Sequence, residues 1–458
     1  MFLKQFYVEG LAHASYMVGA DGVAAVIDPR RDVDIYLQEA KEQGLAITHI
    51  FETHLHADFI SGHLELARQS GAKILMPKSA GVQYDYVPLV DGAEVRIGSV
   101  GVRVLETPGH TPEHIALVVA DLSRAEDPCL VFTGDVLFVG DVGRPDLFGE
   151  EMARELTEKL FVSLHDKLGN LSDFVEVYPA HGEGSLCGKN LSAKRCSTIG
   201  YEKRFNHAFG PANVDAFSNE LLVEMPIAPR YFYRTSETNR KGPRVLGRLP
   251  QLKSLSLEEA KSLYESGHVI LDIRTPESFG GAHIPGAYNI WLSPALSTWA
   301  GSILPYNKPI ILVLDDNDHQ EQVVRQLIRV GFDELGGYID GGIETWMSAG
   351  LPISRIPQLS VHELKEKLSG QNEILVTDVR SSMEYNSGHI SGALNIHAGQ
   401  IEDRHVELDR KEPVAVVCRT AHRSSIAGSI LKRCGFTEVY NVSGGMTAWA
   451  NSGYEVVT

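Results

Sequence analysis

The strongest constraint on this chain is a repeat in its C-terminal half. The segment LDIRTPESFGGAHIPGAYNI, from Leu271, recurs as TDVRSSMEYNSGHISGALNI, from Thr377. Asp272, Arg274, His283, Gly286 and Asn289 return as Asp378, Arg380, His389, Gly392 and Asn395, a constant offset of 106. Gly331-Phe332 then returns as Gly435-Phe436, and Gly341-Gly342 with Trp346 returns as Gly444-Gly445 with Trp449, so two small indels intervene. A period near 105 residues is too long for a solenoid unit. It predicts two copies of one small domain. In each, apolar strand runs (HVILDI and PIILVL; EILVTDV and PVAVVC) precede an amphipathic helix. That alternation predicts a parallel α/β sheet.

A chain of 458 residues exceeds one core. We place domains at 1–235, 252–356 and 357–458, with a polar linker around Ser236–Gln251. With 42 basic and 59 acidic side chains the net charge is −17, which disfavours nucleic acid and anionic membranes. No apolar run reaches 18 residues, and the N-terminus shows no secretory signal. Five cysteines without a Cys-x-x-Cys pair make no disulfide framework. A reducing, cytoplasmic compartment is expected.

The first 200 residues lie outside the repeat and read as a mixed, layered α/β domain. Four strand ends there present imidazole or carboxylate: Thr53-His54-Leu55-His56-Ala57-Asp58, Pro108-Gly109-His110, Gly134-Asp135 and Pro179-Ala180-His181. Sites on α/β folds are built at strand ends, so these residues predict a metal centre. Two imidazoles and one carboxylate suit non-haem Fe(II); three imidazoles and water suit catalytic zinc, and His54, His56 and His110 are available for it.

This pattern resembles the metallo-β-lactamase fold, an αββα sandwich, with one departure: Phe59 stands where the family's last histidine of His-x-His-x-Asp-His belongs. Phenylalanine cannot ligate, so a single metal is expected. Resemblance to the persulfide dioxygenase branch implies one Fe(II) on His54, His110 and Asp135, with His56, Asp58 and His181 around them. Gly143-Arg144-Pro145-Asp146 is similar to a segment of that branch, in which Arg144 would bind a carboxylate of a thiol-peptide substrate; a structural arginine in a turn is the other reading. Cys187, six residues past His181, reads either as a sulfur carrier or as a small residue in a Gly-rich loop.

Cys418 ends the apolar run PVAVV and precedes Arg419, Thr420, Ala421, His422, Arg423 and a helical pattern. Backbone N–H groups at such a turn form an anion nest that favours thiolate. Residues 357–458 resemble a rhodanese, a sulfurtransferase, through Asp378-x-Arg380, Glu384, Gly388-His389-Ile390 and Gly444-Gly445-x-x-x-Trp449. Four residues separate Cys418 from Arg423, one fewer than cysteine phosphatases use. In the first copy Leu314 falls opposite Cys418, and the loop reads Asp315-Asp316-Asn317-Asp318-His319. That copy is expected to be inactive, a spacer or docking surface.

The whole order resembles persulfide dioxygenase–rhodanese fusion proteins. The resemblance implies oxidation of a low-molecular-weight thiol persulfide by O₂ to thiol and sulfite. It also implies sulfur transfer through Cys418 to form thiosulfate, in a homo-oligomer. The alternatives are a zinc-dependent, glyoxalase-II-like thioester hydrolase and a non-enzymatic sensor module. The intact Cys418 loop argues against the latter.

Overall fold

The computed structural model describes residues 1–458 except 224, 226, 316 and 371–373. Its contacts divide the chain into two compact units: 1–249 with 328–331, and 250–327 with 332–458.

The first unit is an αββα sandwich of two six-stranded sheets. In one, strands Phe2–Val8, His13–Ala20 and Val23–Ile27 run antiparallel, and Ala46–Phe51, Lys73–Pro77 and Val87–Leu89 add on in parallel. In the other, antiparallel strands from Glu94 to Gly134 meet Glu176–Pro179 in parallel, and Ser197–Thr198 closes the edge. Strand Ile115–Asp121 is buried at every position, as a strand covered on both faces must be. Side chains such as Tyr16, Val104, Leu117 and Phe132 fill the space between the sheets. Helices Asp34–Glu42 and His63–Ser70 cover one outer face, and Glu150–Val162 and Val214–Leu221 the other.

The expected linker is in part structure. Helix Tyr231–Lys241 occupies its first residues, and Asn239 within it is buried. The Asn239 amide donates to the carbonyls of His56 and Phe59 and accepts from Ser61 N–H, clamping the His-x-His loop. A polar, Gly/Pro-flanked sequence hid this because the clamp needs one buried polar residue, not an apolar stripe.

The second unit contains both repeats, each with a parallel five-stranded sheet of the same strand order. The repeated residues explain the shared shape. Arg274 is held bidentate by Asp272 and donates to the Ala282 carbonyl; Arg380 does the same with Asp378 and Gly388. Asn289 and Asn395 each donate to the two carbonyls of their own Asp-x-Arg turn. Matching capping boxes, Ser256 with Glu259 and Ser360 with Glu363, start the first helix of each copy. Among the described residues no helix is long and apolar enough to cross a membrane.

Candidate metal centre and candidate sulfur-transfer loop

Strands Ala46–Phe51, Val100–Glu106, Leu130–Gly134 and Glu176–Pro179 end at one edge of the sandwich and deliver His54, His110, Asp135 and His181. One ligand atom each of His54, His110 and Asp135 lies within 4.8 Å of the others, and all three residues are buried. His54 Nε2 is 3.8 Å and His110 Nε2 3.5 Å from Asp135 Oδ2. The opposite ring nitrogens are committed. His110 Nδ1 donates to the Arg144 carbonyl at 2.8 Å, and His54 Nδ1 pairs with Thr53 Oγ1 at 2.9 Å, whose hydroxyl donates to Asp28. Both Nε2 lone pairs thus face the carboxylate, the arrangement a metal-binding imidazole requires. Burial, then neighbouring imidazoles, pushes His54 well below the usual range, and burial lowers His110, so both present neutral rings. Burial alone would raise Asp135, but His181 and the surrounding rings hold it below the usual carboxylate range. The donor set fits one divalent cation.

His181 lies between two carboxylates, donating from Nδ1 to Asp135 Oδ1 at 2.7 Å and from Nε2 to Asp58 Oδ2 at 2.9 Å. Burial opposes its charge, yet the two carboxylates raise it well above the ordinary imidazole value. Phe59 is fully buried against the rings of His13 and His56, at 4.0 and 4.4 Å. His56 turns toward Asp28, with Nε2 at 3.2 Å from Oδ1, and is not part of the His54 group. Cys187 lies close to Asp58 and His181, and burial and then the Asp58 and Asp135 carboxylates push its thiol up, so it stays protonated.

Of the two readings of Arg144, its contacts match the structural arginine in a turn. It is only 2% exposed, bidentate to Asp146 and donating to the Leu186 carbonyl. Its guanidinium is spent inside the protein, and its carbonyl reaches the site through His110. Sequence reading also missed His114, whose Nε2 accepts from Asp135 N–H at 3.0 Å, and Glu113, which accepts from Leu55 N–H. Their one signal is position, just past His110 and before a buried strand.

Strand Val414–Val417 ends at Cys418, and helix His422–Arg433 begins four residues on. Ala421 takes φ +86°, a left-handed turn that aims its N–H at Cys418 Sγ, 3.2 Å away; Ser424 Oγ lies at 3.4 Å. The Cys418 carbonyl is held by Met446 N–H, and a Cβ on Gly445 would overlap it, which accounts for the Gly-Gly pair. Arg423 is bidentate to Glu384, both bonds 2.7 Å; burial opposes the Glu384 charge, but Arg423 holds the carboxyl at about 2.

The first copy does more here than its sequence suggested. A cleft of about 230 Å³ over Cys418 is lined by Arg419, Thr420, His422 and Arg423, and on the other side by Trp291, Trp299 and neighbours from the first copy. Trp291 packs on His422 with centroids 4.4 Å apart, and Ser425, on the Cys418 helix, donates to Asn289. Leu314 holds the position matching Cys418 and is buried; Asp316 lies outside the described residues. The acidic loop reads as an inactive copy; nothing in it signalled the tryptophan wall.

Comparison with known proteins follows the same division. The metallo-beta-lactamase superfamily matches residues 8–181, and the rhodanese-like domain matches 256–349 and 360–452. The mitochondrial persulfide dioxygenase ETHE1 of Homo sapiens is 31% identical over 189 residues, 40% of this chain and 68% of that one. A hydroxyacylglutathione hydrolase of Rhizobium etli is 35% identical over 162 residues, 35% of this chain and 57% of its own. A crystal structure of a metallo-beta-lactamase from Staphylococcus aureus superposes with TM-score 0.67 at 33% identity, covering 74% of this chain and 98% of that one.

Proposed function

The chain belongs to the metallo-beta-lactamase superfamily and carries two rhodanese-like domains, and from that premise we propose that it is an enzyme of sulfur metabolism. Its first unit oxidises a low-molecular-weight thiol persulfide with O₂ and water to thiol and sulfite. Its Cys418 loop transfers sulfane sulfur. The observation that carries the reading is the donor set: His54, His110 and Asp135 converge while His56 turns away to Asp28. Two imidazoles and a carboxylate with open positions suit non-haem Fe(II), and the three-imidazole zinc set is not assembled because His56 faces Asp28.

Ferrous iron, held by those three residues, would supply the dioxygen chemistry. The chain's own residues set the conditions. Thr53 and the Arg144 carbonyl fix the two rings, His114 fixes the Asp135 backbone, and His181 spreads positive charge between Asp135 and Asp58. Burial of all of them excludes bulk water. At the second site, Cys418 thiolate attacks the sulfane sulfur of a donor. A new S–S bond forms on Cys418, the donor's S–S bond breaks, and its thiolate or sulfite leaves with the electron pair. Sulfite then takes the sulfur to form thiosulfate and regenerates the thiolate. Ala421 N–H and Ser424 Oγ, aimed at Sγ, support the sulfur anion in each step.

The test joins metal analysis to O₂ uptake with glutathione persulfide. Iron near one per chain with persulfide-dependent uptake is expected. Zinc with no O₂ consumption, and thioester hydrolysis in its place, would establish the glyoxalase-II-like reading that the Rhizobium etli relative represents.

A further inference from the structure

A second cluster lies behind the His-x-His loop, joined to the first through Thr53, which bonds both Asp28 and His54. Asp28, Glu52 and His56 each offer one ligand atom within 4.8 Å of the other two, and all are buried. His56 Nε2 is 3.2 Å from Asp28 Oδ1 and 3.7 Å from Glu52 Oε2, and His63 Nδ1 is 3.2 Å from Glu52 Oε1. These separations are close, yet neither ring nitrogen of His56 or His63, nor Glu52 Oε1, has a hydrogen-bond partner. His56 is fully buried and His63 1% exposed. Leaving such a group unsatisfied costs about 1–3 kcal/mol, so His56 Nε2, buried, unpaired and facing both carboxylates, calls for a ligand between them.

The spacing indicates what the ligand is. Zinc bonds to nitrogen and oxygen of about 2.0–2.2 Å, in tetrahedral directions, set ligand atoms roughly 3.3–3.6 Å apart. The observed 3.2 and 3.7 Å bracket that range. Second contacts already orient both carboxylates. Asp28 accepts from Thr53 N–H and Oγ1, and Glu52 Oε2 accepts from Ser61 Oγ. We propose that Asp28, Glu52 and His56 form a second, buried site for a divalent transition cation of the zinc type, with His63 holding Glu52 from behind. The ion neutralises two buried carboxylates and ties the loop carrying His54 to the end of strand Val23–Ile27. The site is separate from the His54, His110 and Asp135 group and stands independently of the dioxygenase reading.

The test uses the full chain, stripped with chelator, equilibrated with Zn²⁺, desalted and measured by elemental analysis. His54→Ala/His110→Ala, which removes two donors of the first group, is expected to retain one zinc per chain. Adding Glu52→Gln is expected to remove that zinc, and His63→Gln in its place to weaken it about tenfold. A folded His54→Ala/His110→Ala protein with no zinc, or an undiminished zinc after Glu52→Gln, overturns the proposal. Because a buried substitution is able to unfold the unit, zinc-soaked wild-type crystals supply a second readout. An anomalous peak within bonding distance of Asp28, Glu52 and His56 is expected, and its absence overturns the proposal regardless of any variant.

Discussion

Gly143 offers the sharpest test of the metal centre, because it touches two candidate ligands without being one. Its backbone φ is ordinary, so alanine meets no conformational penalty of the left-handed kind. The obstacle is space. A Cβ built there overlaps the Asp135 carbonyl oxygen and stands 3.0 Å from His110 Nδ1. Relief takes a shift on the order of 1 Å, in the segment that also carries the Arg144 carbonyl holding His110. Overpacking of this kind costs about 1–3 kcal/mol of stability. Disturbing the groups that orient a metal ligand costs about 10–100-fold in affinity, or roughly 1.4–2.8 kcal/mol. Gly143→Ala is therefore expected to fold, to lower the melting temperature by several degrees, and to weaken Fe²⁺ or Zn²⁺ binding at least tenfold in a chelator competition. Gly149→Ala is the control: φ is +91° with ψ 167°, a region essentially confined to glycine, so the backbone strains by about 1–3 kcal/mol, but nothing lies within 4 Å of the added carbon. It should lose stability and keep metal. If Gly143→Ala binds metal within twofold of wild type, or both variants lose metal alike, the placement of Asp135 and His110 around one ion is refuted.

Three further outcomes are expected. Cys418→Ser should abolish sulfur transfer from thiosulfate while leaving persulfide-dependent O₂ uptake largely intact; loss of both would mean the two roles are inseparable. Trp291→Ala, which opens the first-copy wall of the cleft and unpacks His422, should raise KM for organic persulfides at the Cys418 site about tenfold with a smaller effect on thiosulfate, and equal effects would make the wall merely structural. His283 is buried against Phe279, donates to its carbonyl, and is held at about 4 by burial. The unfolded chain binds that proton near 6.5, so stability rises with pH between about 4 and 6.5, by roughly 3 kcal/mol at most. His283→Gln should flatten that slope in urea melts at several pH values; an unchanged slope would remove His283 as its source.

The sequence was most informative where one residue type does one job at a fixed spacing. The Asp-x-Arg, Asn and Gly-Gly positions recur because each copy uses them for the same turn, so the repeat announced the second unit's folds. The strand-end histidines and aspartates stood out for a similar reason, since imidazole and carboxylate are common metal donors, and the fold brings His54, His110 and Asp135 together. What stayed hidden depends on residues whose type does not declare their role. Arg144 looked like a ligand for an anionic substrate, and only its buried pairing with Asp146 shows its charge to be spent. Asn239 looked like linker, and Trp291 drew no reading at all, because neither a clamp nor a cleft wall has a period.

Phe59 raised the question of whether the fold's second metal pocket survives, and the hydrogen bonds within that pocket bear on it. Asp135 and Asp58 would leave two negative charges facing each other across a buried space. His181 donates to both at 2.7 and 2.9 Å, shorter than the ligand-to-ligand spacing of about 3.3 Å that a metal would impose. The His181 ring, bonded to both carboxylates, thus occupies the place where the second ion would stand. The phenylalanine then fills the volume the family's missing histidine would need, packed on His13 and His56 rather than left as a void. Replacing Phe59 by histidine should not by itself create a binuclear centre, because both hydrogen bonds of His181 would have to be displaced first. Elemental analysis of Phe59→His is expected to match wild type, and a gain of one metal per chain would show that the His181 bridge is weaker than its geometry implies.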